Sequence, residues 1–119
     1  MTPFGRRLRE LRAARSILLK DMASALGVSS AYLSALEHGN RGRPSSGLVQ
    51  QISAYFNLAW DDVDELKRLA QLSHPRVVVD TAGLSPKATE LANRLSETID
   101  ELTEETIDHL LNAIDDKRR

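Results

Sequence analysis

The stretch LKDMASALGVSSAYLSALEHG, residues 19–39, reads as two short helices joined at one glycine and closed by another. Met22, Ala23 and Leu26 recur at helical spacing in its first half, Leu33 and Leu36 in its second. Gly27 and Gly39 stand just past the last periodic residue of each half, where helices commonly end in a left-handed turn that suits glycine. Ser29 is placed to cap the second helix, which spans about Ser30 to His38. In such a pair Ala23 is the small residue at the helix crossing, and Val28 and Leu33 pack beneath the turn.

Helical periodicity extends outward on both sides, and no sustained period-two alternation interrupts it, so the expected class is all-α. Upstream, Phe4, Leu8, Leu11 and Ala14 form the stripe of a first helix ending near Arg15, with Arg6, Arg9 and Arg12 on its other faces. Downstream, Asn40-Arg41-Gly42-Arg43-Pro44 is a loop by composition, and Ser45 or Ser46 caps a fourth helix carrying Leu48, Ile52, Tyr55 and Phe56. A fifth begins near Asp61 with Val63, Leu66, Leu69 and Ala70 inward. Trp60, just before it, is read as core or as part of a dimer surface.

His74-Pro75 breaks the pattern and marks a boundary. The expected organisation is a five-helix domain over residues 1–74, a linker over 75–84 containing Val77-Val78-Val79, and a short C-terminal helical segment over 85–119. Ser85 and Pro86 open a sixth helix with Leu91, Leu95 and Ile99. Thr103 caps a seventh with Ile107, Leu110, Leu111 and Ile114 on one face, and Glu104, Glu105 and Asp108 favour its N-terminal dipole. Neither helix is long enough to be stable alone, so each must pack on the first five helices or on another chain.

The formal net charge of −1 hides an uneven distribution. Residues 1–44 carry eight basic and three acidic side chains, and residues 45–119 eight basic and fourteen acidic. A basic head on an acidic body suits a chain that sets one end against a polyanion. Cysteine is absent, which removes disulfides and thiolate chemistry and is compatible with a reducing compartment. His38, His74 and His109 lie too far apart for a short metal motif, so no metal and no cofactor are expected. No stretch approaches the roughly 20 apolar residues of a membrane span, and Met-Thr-Pro-Phe-Gly-Arg-Arg lacks the apolar run of a secretory signal. A cytoplasmic protein without a membrane partner is expected. No nucleophile triad, paired catalytic carboxylates or phosphate loop stands out, so the reading is not an enzyme.

The stretch DMASALGVSSAYLSALEHGNRGRPS is similar to the DNA-binding domain of Cro and phage-repressor-type regulators, the XRE helix-turn-helix family, and the likeness covers about residues 4–72. Its most specific pieces are the spacing of Ala23 to Gly27, Leu36-Glu37-His38-Gly39 and Arg43-Pro44-Ser45. The resemblance implies a phage-repressor-like fold whose second motif helix enters the major groove of a DNA duplex. It places Ser30, Ala31 and Ser34 at base edges and Ser29 and Tyr32 nearer the sugar-phosphate chain, with Tyr32 equally able to cover the core edge. Asn40, Arg41 and Arg43 fall in the loop that runs along the backbone. Arg12 and Glu37 match an ion pair between the first and third helices, which could also orient Arg12 toward a phosphate.

Two departures stand out. Leu18-Leu19 replaces the family's Thr-Gln or Ser-Gln, leaving Lys20 as the point charge at that site. Serine and alanine discriminate bases poorly, so specificity is expected to lean on DNA shape and on Arg41 and Arg43.

A single weak reader gains affinity from a second copy, so a homodimer on an inverted repeat is expected, with half-sites about 34 Å apart. Leu91, Leu95, Ile107, Leu110 and Ile114 are the favoured dimerisation residues; the fifth helix and an intramolecular cap are the alternatives. The expected function is a sequence-specific transcriptional regulator, a repressor. An antitoxin or adaptor of the same fold, gripping a protein partner, is the alternative.

Overall fold

The computed structural model describes residues 1–39 and 43–118, and every regular element among them is helical. In chain order these are α1 (Pro3–Ala14), α2 (Leu19–Leu26), α3 (Ser30–His38), α4 (Ser46–Tyr55), α5 (Trp60–Gln71), α6 (Pro86–Thr98), a 3-10 turn (Ile99–Glu101) and α7 (Glu104–Arg118). The chain divides into two units, residues 1–77 and 78–119.

Local chemistry accounts for most helix ends. Thr2 accepts from the Gly5 N–H at 3.0 Å to cap α1, and Pro3 occupies a position where a missing N–H costs nothing. Ser29 accepts from Tyr32 N at 3.0 Å, Ser45 from Leu48 N at 3.2 Å, Ser85 from Ala88 N at 3.2 Å and Thr103 from Thr106 N at 3.2 Å. Gly27 and Gly39 adopt φ of 72° and 78° and end α2 and α3 in the left-handed conformation. α5 starts at Trp60 behind Ala59, which offers no side-chain cap, and the dipole is met instead by Asp61 and Asp62 in its first turn.

In the first unit α1 packs on α3 and α5, α2 on α3 and α4, and α4 on α5. Their shared core is Phe4, Leu8 and Leu11 from α1, Met22 and Ala23 from α2, Leu33 and Leu36 from α3, Leu48, Val49 and Ile52 from α4 with Phe56 beyond it, and Leu66 and Ala70 from α5. The end of α5 is tied back to the start of α1 through Ser73, whose buried hydroxyl accepts from Phe4 N at 2.9 Å and donates to the Leu69 carbonyl. Arg15 lies over the Phe56 ring at 5.1 Å and donates to the Phe56 carbonyl at 3.4 Å, closing the α1 end on α4.

Two expectations about packing are corrected. Ala14 is exposed rather than part of the inward stripe, because α1 ends there and the chain turns away at Ser16, φ 53°. Trp60 is no core residue: as the first residue of α5 it projects outward and is 87% exposed.

In the second unit α6 packs on the 3-10 turn that follows it. None of its described side chains is buried. Leu91, Ile99, Leu111 and Ile114 are each more than half exposed, and Leu95, Leu102, Ile107 and Leu110 are only partly covered.

Candidate nucleic-acid interface

The helix pair α2–α3 is held by its turn. Val28 N donates to Ala23 O at 3.0 Å and Gly27 N to Ser24 O at 3.2 Å, so these two carbonyls in the last turn of α2 are satisfied as the chain reverses into Ser29. Buried Met22, Ala23 and Leu33 fix the pair to the core, and half-buried Val28 packs against it.

The outward end of α3 gathers Ser29, Ser30 and Ala31, all exposed, with half-exposed Ser34 one turn on. This rim is small and polar, so a groove wall can approach it closely. Ser34 is tied to His38, whose Nδ1 lies 2.8 Å from the Ser34 carbonyl and 3.5 Å from its hydroxyl. The contact to the carbonyl requires the proton on Nδ1. Tyr32 turns toward α4: it packs against the core and lines a surface cleft of about 430 Å³ with Val28, Ser45, Gly47, Leu48 and Gln51.

A buried ion pair joins the last turn of α3 to α1. Arg12 donates from Nε to Glu37 Oε1 at 2.8 Å and from Nη2 to Oε2 at 3.1 Å, the two-pronged geometry in which guanidinium and carboxylate match best. Its Nη1 donates to the Ile17 carbonyl at 3.1 Å. The Glu37 side chain is only 2% exposed and that of Arg12 15%. With all three guanidinium nitrogens engaged inside the fold, Arg12 sets the angle of α3 rather than reaching outward.

The cations of the first unit are distributed unevenly. Lys20 is exposed in the first turn of α2, which has no side-chain cap because Leu18 stands there, itself 57% exposed. Arg43 is exposed and lines a cleft of about 370 Å³ with Pro44, Ser45, Ser46, Lys67 and Gln71. Ser45 therefore belongs to both clefts, the cap of α4 standing between Tyr32 on one side and Arg43 on the other. Asn40 and Arg41 lie outside the described residues. On α1, Arg6 and Arg7 approach Glu10 at 3.4 Å, Arg7 also approaches Glu65 at 3.6 Å, and exposed Arg9 makes no ion pair among the described residues.

Sequence reading had passed over Gln51, Lys67 and His38 as members of this surface. Gln51 and Lys67 sit on exposed helix faces that carry no local signal, and only the packing of α4 on α2 and of α5 on α4 brings Gln51 near Tyr32 and Lys67 near Arg43. The dimerisation candidates Leu91, Leu95, Ile107, Leu110 and Ile114 all lie in the second unit and are described there by themselves. Among the described residues no group of three or more His, Asp or Glu side chains is placed to hold a metal, and no helix is long and apolar enough to cross a membrane.

A glycine-turned helix pair, capped by serine, buttressed by a buried Arg-Glu pair and embedded among three further helices, defines a helix-turn-helix module. The sequence model of the helix-turn-helix domain matches residues 3–66, and the chain belongs to the XRE family of helix-turn-helix proteins. It is 36% identical over 63 residues to an uncharacterized HTH-type transcriptional regulator, RghRB, of Bacillus subtilis, and 42% identical over 59 residues to the HTH-type transcriptional regulator DdrOP3 of Deinococcus deserti. It is 31% identical over 61 residues to the HTH-type transcriptional repressor RghR of Bacillus subtilis. These matches cover 53%, 50% and 51% of this chain and 45% of each relative, so they span less than half the length of the curated relatives.

Proposed function

We propose that the chain is a sequence-specific double-stranded DNA-binding transcriptional regulator that acts as a homodimeric repressor on an inverted repeat. The observation that carries this reading is the outward end of α3, with Ser29, Ser30 and Ala31 exposed and Ser34 half-exposed, on a helix joined to α1 by the Arg12–Glu37 pair, together with exposed Lys20 on α2 and exposed Arg43 before α4. Small hydroxyl side chains let the helix approach base edges, and the two cations meet the phosphates. Repression is supported by the name of one relative, the repressor RghR.

The second unit supplies the dimer. A helix pair with no buried side chain leaves Leu91, Leu95, Ile107, Leu110 and Ile114 to be covered from outside, and a second copy presents the same apolar faces in return. The same bare faces are what favour the second reading, an antitoxin or adaptor whose main partner is another protein. The regulator works in the cytoplasm, without cofactor or catalysis.

Selection from a random duplex pool, followed by anisotropy of the winning duplex against a scramble between about 50 and 200 mM salt, tests the reading. An inverted repeat bound far more tightly than the scramble, with affinity falling steeply as salt rises, supports it. No enrichment, with weak and indiscriminate binding, overturns it in favour of the protein-binding alternative.

A further inference from the structure

Between α5 and α6 the chain runs through Arg76-Val77-Val78-Val79-Asp80, the only succession of three β-branched residues in the sequence. Nothing covers the valines: Val77 is 70%, Val78 95% and Val79 66% exposed. Residues 77–81 lie in no helix, turn or bend, so the run is straight. It is bounded by a bend at Pro75-Arg76 and by the turn in which Leu84 N donates to the Thr81 carbonyl at 3.0 Å. From Val77 to Val79 no backbone N–H or carbonyl is hydrogen-bonded to another described residue. Free backbone groups under side chains that pack best on a pleated surface are what an unpaired strand offers.

The flanking charges say which strand would pair with it. Arg76 and Asp80 are exposed and make no ion pair among the described residues, although Asp80 Oδ1 accepts from Ala82 N at 2.9 Å. A two-fold axis between two copies of one strand makes them antiparallel. With that axis at Val78, Arg76 faces the partner's Asp80, Val77 faces the partner's Val79, and Val78 faces its own equivalent. Shifting the register by one residue in either direction leaves both charges unpaired and sets a charged side chain against a valine. Alternation along the strand then gathers Val77 and Val79 of both copies on one face, and on the other sets the two Arg76–Asp80 pairs to either side of the Val78 pair. Five residues thus specify a second copy of themselves, in one register, as their partner.

We propose that residues 76–80 of two copies pair as an antiparallel β-ribbon centred on Val78. The inference rests on the homodimer reading and deepens it. A two-stranded ribbon of this length is marginal alone, so it adds to the contact between second units and fixes the register in which the two chains meet.

The sequence has no cysteine, so a single cysteine placed in the full chain reports on its own surroundings. Val77→Cys, Val78→Cys and Val79→Cys are compared in a glutathione redox buffer at about 10 μM chain, with covalent dimer measured by non-reducing electrophoresis. Directly opposite residues of an antiparallel pair have Cβ atoms about 4.5–5.5 Å apart, near disulfide reach, and diagonal ones about 7–8 Å, beyond it. Val78→Cys is therefore expected to give about tenfold more covalent dimer than either neighbour. Adding Arg76→Asp sets aspartate against aspartate and lowers that yield about fivefold, and Asp80→Arg in the same chain restores it. Sedimentation of the unsubstituted chain separates the two ways of failing. A monomer at micromolar concentration overturns the homodimer reading and the ribbon together. A dimer in which the three cysteines cross-link alike, in which Arg76→Asp has no effect, or in which Asp80→Arg restores nothing, overturns the ribbon and leaves the homodimer standing.

Discussion

Gly5 in α1 rests directly against the backbone of Glu37 in α3: a Cβ at Gly5 would stand 2.7 Å from the Glu37 Cα and carbonyl carbon, and closer still to the carbonyl oxygen. The same Glu37 sends its carboxylate to Arg12, two turns further along α1. The α1–α3 crossing is thus fixed twice, by backbone contact at Gly5 and by an ion pair at Arg12. The rim of α3 takes its orientation from both.

Gly5→Ala is expected to push the two helices apart and to lower stability by about 1–3 kcal/mol, in the range of overpacked cores. Urea unfolding followed by circular dichroism reads this as a lower midpoint; an unchanged midpoint would mean that α3 shifts freely.

Arg12→Ala leaves the Glu37 carboxylate buried without its partner, and a cost of about 3–5 kcal/mol is expected. Glu37→Ala should cost less, because Arg12 is the less buried partner and can turn toward water. Equal melting of both variants and the unsubstituted chain would show that the pair holds nothing in place.

Ser16 has φ 53°, a left-handed conformation that a residue with a Cβ adopts at some cost. Ser16→Gly is expected to stabilise the first unit by up to about 1 kcal/mol, the relief of strain exceeding the added flexibility of the unfolded chain. A fall in melting temperature would refute this.

For the proposed DNA contact, Arg43→Ala is expected to weaken binding to every duplex and to flatten the salt dependence by about one unit of slope. Ser30→Ala and Ser34→Ala should instead alter which sequences are preferred. Selection experiments with both serine variants returning the same site at the same affinity would remove α3 from the groove.

The proposed dimer rests on the second unit. Leu95→Gln with Leu110→Gln should reduce the sedimenting mass from two chains to one at micromolar concentration, while the helix-turn-helix unit keeps its cooperative melting. A dimer that survives both changes would have its interface elsewhere.

Helix identity and helix ends were legible along the chain because capping is local. Ser29, Ser45 and Ser85 each satisfy an N–H three residues away, and Gly27 and Gly39 end their helices within their own turn. Apolar stripes such as Phe4, Leu8 and Leu11 were legible for the same reason, since one helix face repeats at fixed spacing. The Arg12–Glu37 pair, 25 residues apart, came into view only through the resemblance to a family, as nothing local to either residue points to the other.

Sequence alone determined an all-α chain, a glycine-turned helix pair and the residue types its outward end presents, because each depends on neighbours within a few turns. The tertiary structure decided the rest: that Gly5 is a contact point, that Ser73 anchors Phe4 from 69 residues away, that Arg15 is spent on Phe56 and that Trp60 points outward. Each depends on which distant segment the packed core brings alongside, and the steric and hydrogen-bonding terms that decide it act over a few ångströms of space, whatever the separation along the chain.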